Sequence, residues 1–195
     1  LATSVLPLVT MLAADGVAQM RLAGLMTERA NAFLAGLTPD QRERVQFDFG
    51  TLERFNWHYI PRMRKGLALR ELSPQQKTLA IDLMKSGLSA SGYATTEQIR
   101  SLELVLIERE KNGSMPMVRD PDNIYFTVFG MPSAAQPWGW RVEGHHLSLN
   151  YSSVTDSVAV TPAFMGTNPA EVRSGPYTGL RVLGAEEDLG RELLK

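Results

Sequence analysis

Pro137-Trp138-Gly139-Trp140-Arg141-Val142-Glu143-Gly144-His145-His146-Leu147-Ser148-Leu149-Asn150 is the stretch on which the fold class turns. It carries no helical period, and the segment Trp138 to Tyr151 reads as a strand. Side chains of a strand alternate between its two faces. Arg141, Glu143, His145, Leu147 and Leu149 would then share one face, and Trp138, Trp140, Val142, His146, Ser148 and Asn150 the other. His145 and His146 would point apart unless a bulge at Gly144 intervened. Upstream, Ile124 to Phe129 is rich in β-branched and aromatic residues and reads as a second strand. Downstream, Val158 to Thr161 reads as a third, with the turn near Asp156-Ser157.

The sequence before this region is helical in pattern. Leu22, Leu25, Met26, Ala30, Phe33, Leu34 and Leu37 recur at steps of three and four, which places them on one helix face. Thr38-Pro39-Asp40-Gln41 and Ser73-Pro74-Gln75-Gln76 are capping boxes with proline at the first helical position. The second of these helices buries Ala80, Leu83, Met84 and Leu88 and stops near Gly87. A further helix starts near Thr95 and Gln98, buries Ile99, Leu102, Val105 and Leu106, and ends at Asn112-Gly113. From Met115 to Pro137 prolines and glycines break the period, Thr167 to Gly179 reads as a loop, and Ala185 to Lys195 as a helix. Helices followed by strands predict an α+β fold: a helical N-terminal half, then a mostly antiparallel sheet.

Length and composition bound the possibilities. The 195 residues are 44% hydrophobic and 21% charged, which suits a globular domain rather than a disordered chain. A formal net charge of −1 offers no field to attract nucleic acid. With no cysteine, disulfides, thiol nucleophiles and cysteine metal sites are excluded. Absence of cysteine suits an oxidising compartment and the cytoplasm equally well. The apolar run Leu1 to Ala14 leads into Gly16-Val17-Ala18 and reads as the tail of a secretory signal, or as a loosely packed N-terminal segment. Residues 1–20 are set apart on this basis, and 21–195 form a single α+β domain. The first reading implies a secreted or periplasmic protein. Pro7 and the shortness of the run argue against an integral membrane span. The first residue, Leu1, and the uncapped end at Lys195 suggest a chain truncated at both ends. Nothing in the residues specifies an oligomeric state.

Common catalytic signatures are missing: no G-x-G-x-x-G, no phosphate-binding loop, no H-E-x-x-H. Gly87-Leu88-Ser89-Ala90-Ser91 lacks the second glycine of a nucleophile elbow and reads as a helix end. Arg62, Arg64, Lys65 and Arg70 read as a solvated basic face, with anion binding as the alternative. All three tryptophans and all three histidines fall in Phe55-Asn56-Trp57-His58-Tyr59-Ile60-Pro61-Arg62 and in the quoted stretch. Three readings follow. As a ligand platform, Trp57, His58, Trp138, Trp140, Arg141 and Asn150 would bind a small molecule or saccharide by stacking and hydrogen bonding. As an acid/base or metal-assisted hydrolase, Glu143 and His145 would meet on one strand face, while His58 and Glu143 with either His145 or His146 would hold a divalent metal. As structure alone, Arg141 would neutralise Glu143, and the row Arg141, Glu143 and His145 would form an ion-pair and cross-strand ladder.

The residues also carry a family resemblance. Trp57-His58-Tyr59-Ile60-Pro61, Gly66-Leu67, Leu102-Glu103, Glu110, Arg119-Asp120-Pro121, Pro137-Trp138-Gly139-Trp140-Arg141 and Glu143-Gly144-His145-His146-Leu147-Ser148-Leu149-Asn150 resemble the domain of unknown function family 3500. So do Pro162, Phe164, Gly166 and Asn168-Pro169. The resemblance runs from about Asn31 to Leu194. It implies a longer parent protein and supplies no catalytic residue.

Overall fold

The computed structural model describes residues 5–110 and 119–195, with side chains from residue 16 onward. The expected helix end at Asn112-Gly113 and the start of the irregular stretch at Met115 lie outside the described residues. Helix α1 (Val5–Ala35) is followed by α2 (Pro39–Val45), α3 (Pro74–Ser86), α4 (Ala90–Arg109) and, at the far end, α5 (Gly184–Glu192). No described helix is long and apolar enough to cross a membrane. The helical half followed by an antiparallel sheet is as the patterns require. Helix α1 continues through residues 20 and 21, so no break marks the expected boundary there.

Local chemistry explains the helix ends. Both capping boxes are formed: Thr38 accepts from the Gln41 amide and Ser73 from that of Gln76, and each glutamine side chain returns to the cap amide. Each cap is worth about 1 kcal/mol. The two boxes also touch, because Gln76 Nε2 donates to Gln41 Oε1 at 2.7 Å and to the Gly36 carbonyl at 2.9 Å. Two helix starts 35 residues apart are thereby fastened to each other. Helix α4 begins earlier than Thr95, because Ser89 caps it through the Gly92 amide at 3.0 Å. The Gly87 to Ser91 segment is thus a helix end and the next helix start, as its missing glycine indicates. On α1, Met26, Ala30, Phe33 and Leu34 are buried, as is Leu37 just past its end, while Leu25 is 40% exposed. Ala23 occupies the buried stripe instead.

The sheet is built from β1 (Gln46–Phe47), β2 (Leu67–Ala68), β3 (Tyr125–Phe129), β4 (Trp138–Gly144), β5 (Leu147–Val154) and β6 (Ser157–Met165). Its order is β1-β3-β4-β5-β6, with β2 also on β3. Strand β1 is parallel to β3, and every other pairing is antiparallel. The expected single strand from Trp138 to Tyr151 is in fact two, folded back at His145-His146. His146 adopts a left-handed φ of 56°, which lets the chain reverse in two residues. The third strand is longer than Val158 to Thr161 suggested.

This hairpin changes the face assignment. Trp140 lies opposite Tyr151, Val142 opposite Leu149, Arg141 opposite Asn150 and Glu143 opposite Ser148. Phe126, Val128, Trp138, Trp140, Val142, Leu147, Leu149 and Tyr151 therefore make one apolar face, joined to Met26, Phe33, Leu83 and Met84 of α1 and α3 in a single core. Phe33 meets Phe126 with ring centroids 5.8 Å apart, and Trp140 stacks on Tyr151 at 4.2 Å. The Tyr151 hydroxyl donates to the Gly87 carbonyl at 2.9 Å, tying the sheet to the end of α3. The other face carries Thr127, Arg141, Glu143, Ser148 and Asn150, all buried.

Candidate functional site

What buries that polar face is the connection between β1 and β2, residues 48–66, which we call the strap. It leaves beside Phe129 and returns beside Phe126, both on the β3 edge away from β4, and in between it lies over the sheet against Arg141, Glu143 and Phe164. Gly66 closes it with φ of 93°, and a Cβ there would strike the Phe126 carbonyl and the Thr127 hydroxyl. Only glycine fits a left-handed position so close to a neighbouring backbone.

The strap is fastened by charge and hydrogen bonds. Arg141, fully buried, donates to the Glu53 carbonyl at 3.0 Å and to Glu53 Oε1 at 2.7 Å. Its Nε lies 3.1 Å from Glu143 Oε1. Glu143 Oε2 accepts from the His58 backbone amide at 2.8 Å. Arg64 lies beyond, its Nε 4.0 Å from Glu143 Oε2 and its side chain 2% exposed. Arg64 donates to the carbonyls of Ile60 at 2.6 Å and Gly144 at 2.9 Å. The charges alternate along Glu53, Arg141, Glu143 and Arg64, so each buried ion has an opposite neighbour, as burial demands. Loss of hydration pushes the Glu143 carboxyl above its ordinary range, against the pull of Arg141. The same loss holds Arg64 below its own. Arg64 is thus part of the interior rather than of a solvated basic face.

The tip of the β4–β5 hairpin sits under the far end of the strap. The His146 amide donates to the Tyr59 carbonyl at 2.7 Å, and the Tyr59 ring stacks on Phe164 at 4.0 Å. His145 and His146 do not point apart. Being turn residues, they bring their rings edge to face at 4.3 Å. Burial, then the charge of His145, holds the His146 imidazole below its ordinary range. His145 Nδ1 is hydrogen-bonded to Glu103 of α4 and lies 3.2 Å from Arg119 Nη1. Arg119 in turn binds Glu110 through two donors at 2.9 and 3.0 Å. The carboxylate beside the imidazole is therefore Glu103 and not Glu143, because the reversal at residues 145–146 turns His145 away from the β4 face.

The predicted residues divide three ways. Arg141, Glu143, Asn150 and the His58 main chain meet beneath the strap. Trp138 and Trp140 lie on the opposite, apolar face, and their rings belong to the core. The His58 imidazole faces Asn56 and Arg62, and desolvation followed by the nearby Arg62 charge holds it below its ordinary range. His58, Glu143 and His145 or His146 are therefore not brought to one point, and no three His, Asp or Glu residues among the described ones are placed to hold a metal ion.

Trp57 does border a hollow. A groove of about 360 Å³ opens between the strap and the outer strands, lined by Arg54, Trp57, Asn150, Ser152 and Thr161, among others, and Trp140 also borders it although its ring belongs to the core. Arg54 is braced over the Phe49 ring at 3.9 Å and the Phe55 ring at 5.0 Å. Asn150 donates from Nδ2 to the Pro162 carbonyl at 2.8 Å and to Ser148 Oγ at 3.2 Å. A larger hollow of about 780 Å³, lined by Arg109, Arg173, Arg181 and Arg191 with Glu187 and Asp188, holds none of the predicted residues. Arg181 there is already engaged by Glu187 and Asp188, each at 2.8 Å.

Glu53, Glu103 and Arg119 escaped the chemical reading of the sequence. Glu103 had a signal: it falls four residues after Ile99 and three before Leu106, on the buried stripe of its helix. Glu53 had none, since its partner lies 88 residues away.

A family model described as "Protein of unknown function (DUF3500)" matches residues 20–195. The chain belongs to the DUF3500 family. Neither the curated proteins nor the solved structures contain a match. The DUF3500 match spans both segments that meet at the strap, from Trp57 to the hairpin tip, and both walls of the groove.

Proposed function

We propose that this DUF3500 chain is a binding protein for a small hydroxylated ligand of the saccharide type, working outside the cytoplasm. The observation that carries this reading is the groove between strap and sheet. Its strap wall presents Phe55, Trp57 and the ring-braced Arg54, and its sheet wall presents Ser152 and Thr161, with Asn150 buried at the inner edge. Its volume of about 360 Å³ falls within the range of small-molecule sites. Aromatic faces on one side and amide and hydroxyl groups on the other suit a ring with an apolar face and polar edges. The apolar first residues, Leu1 to Ala14, support the extracytoplasmic setting.

Acid/base hydrolysis is a second reading, favoured by the contact between Glu103 and His145 Nδ1. A carboxylate at Nδ1 fixes the tautomer and leaves Nε2 as the acceptor for a proton. One experiment addresses both. Calorimetric titration with methyl glycosides and gluco-disaccharides is expected to give saturable heat with at least one sugar, weakened about tenfold or more by Trp57→Ala. Silence across the panel, or binding indifferent to Trp57→Ala, contradicts the first reading. Slow release of free sugar in the same samples, abolished by His145→Gln, would favour the second.

A further inference from the structure

The strap is built the wrong way round for a permanent cover. A loop that closes an interior for stability buries its apolar side chains. This one exposes Leu52 (83%), Phe55 (66%), Ile60 (51%) and Met63 (85%), and turns Glu53, Arg64 and main-chain groups inward. Its hold consists of a few polar contacts: Arg141 to Glu53, the His58 amide to Glu143, Arg64 to the Gly144 carbonyl, and the His146 amide to the Tyr59 carbonyl. The Tyr59–Phe164 stack adds one aromatic contact.

The interior it closes is incompletely satisfied. Thr127 Oγ1, Asn150 Oδ1 and Arg64 Nε are buried without a hydrogen-bond partner. All three belong to the strap or to the polar sheet face beneath it. Each such group costs more in the closed state than it would against water or a ligand. Asn150 Nδ2 is already committed to Pro162 and Ser148, so its Oδ1 is a fixed, unused acceptor at the inner edge of the groove. The strap's two ends, in contrast, are held in the sheet by β1 and β2, with Gly66 at one of them. A segment fixed at both ends and weakly held between them opens as a unit.

We propose that residues 48–66 are a lid, and that Asn150, Arg141 and Glu143 form a covered extension of the groove's binding floor that becomes available when the lid lifts. Asn150 Oδ1 accepts a ligand hydroxyl. The guanidinium of Arg141 and the carboxylate of Glu143, side by side on β4, donate to and accept from adjacent hydroxyls. This rests on the reading of the groove as a binding site and adds how the ligand gains access to its inner half.

Native-state hydrogen exchange of the full chain across a urea series tests the lid without any ligand. The His58 amide, bonded to Glu143, is expected to exchange through an opening with little urea dependence, far more often than the Val142 amide of the central sheet. Glu53→Gln, which weakens the Arg141 latch, is expected to speed His58 exchange about tenfold while that opening keeps its small urea dependence and Val142 remains the slower of the two. If His58 and Val142 exchange together, with the urea dependence of global unfolding, the lid is overturned. That result would leave a positive sugar titration standing, whereas a silent titration with a mobile His58 amide would sink the ligand and keep the lid.

Discussion

Arg141 shows how much one side chain can decide. It is fully buried, in the middle of a central strand, and touches Glu53 on the strap and Glu143 on its own strand. A buried ion pair adds little net stability over an apolar replacement, but removing one partner strands the other. Arg141→Met is therefore expected to cost about 3 kcal/mol in urea unfolding. In the Arg141→Met, Glu143→Leu double variant the loss should fall short of the sum of the singles by at least about 1 kcal/mol. Additivity within about 0.5 kcal/mol would mean that the two side chains are not coupled. Sequence alone recognised Arg141 and Glu143 as a possible ion pair because they stand two apart on a strand. It gave no access to Glu53 or Arg64, whose contacts depend on the path of a loop.

Among the elements, the β4–β5 hairpin and the strap carry the account. Strand periodicity correctly put Trp138, Trp140 and Val142 on one side and Arg141 and Glu143 on the other. It failed past Gly144, because a two-residue reversal at His145-His146 exchanges the faces of everything downstream. That turn is built without glycine or asparagine at its left-handed position, so the usual turn chemistry was absent. Helix starts were far more legible, since a capping box is a local device of four residues. At the strap's end, Gly66 must approach the Phe126 carbonyl with a left-handed backbone. Gly66→Ala is expected to destabilise the fold by about 2 kcal/mol or more, seen as a lowered urea midpoint. A variant as stable as the parent would show that the strap does not return along this path.

Across the whole molecule, three layers place the groove: helices α1 and α3, the sheet, and the strap. The apolar face of the sheet supplies the core, and its polar face supplies every candidate binding group other than those on the strap. The order of helices and strands was enough to predict the α+β class. The convergence of Trp57 and His58 with Arg141, Glu143 and Asn150 was not, because it links positions 85 residues apart through a main-chain donor. The most direct test of that convergence is an NMR contact between the ring protons of Tyr59 and Phe164, whose centroids lie 4.0 Å apart. A strong cross-peak between these rings is the predicted result. If it is missing while contacts within the core, such as Phe33 to Phe126, are present, the strap does not lie across the sheet.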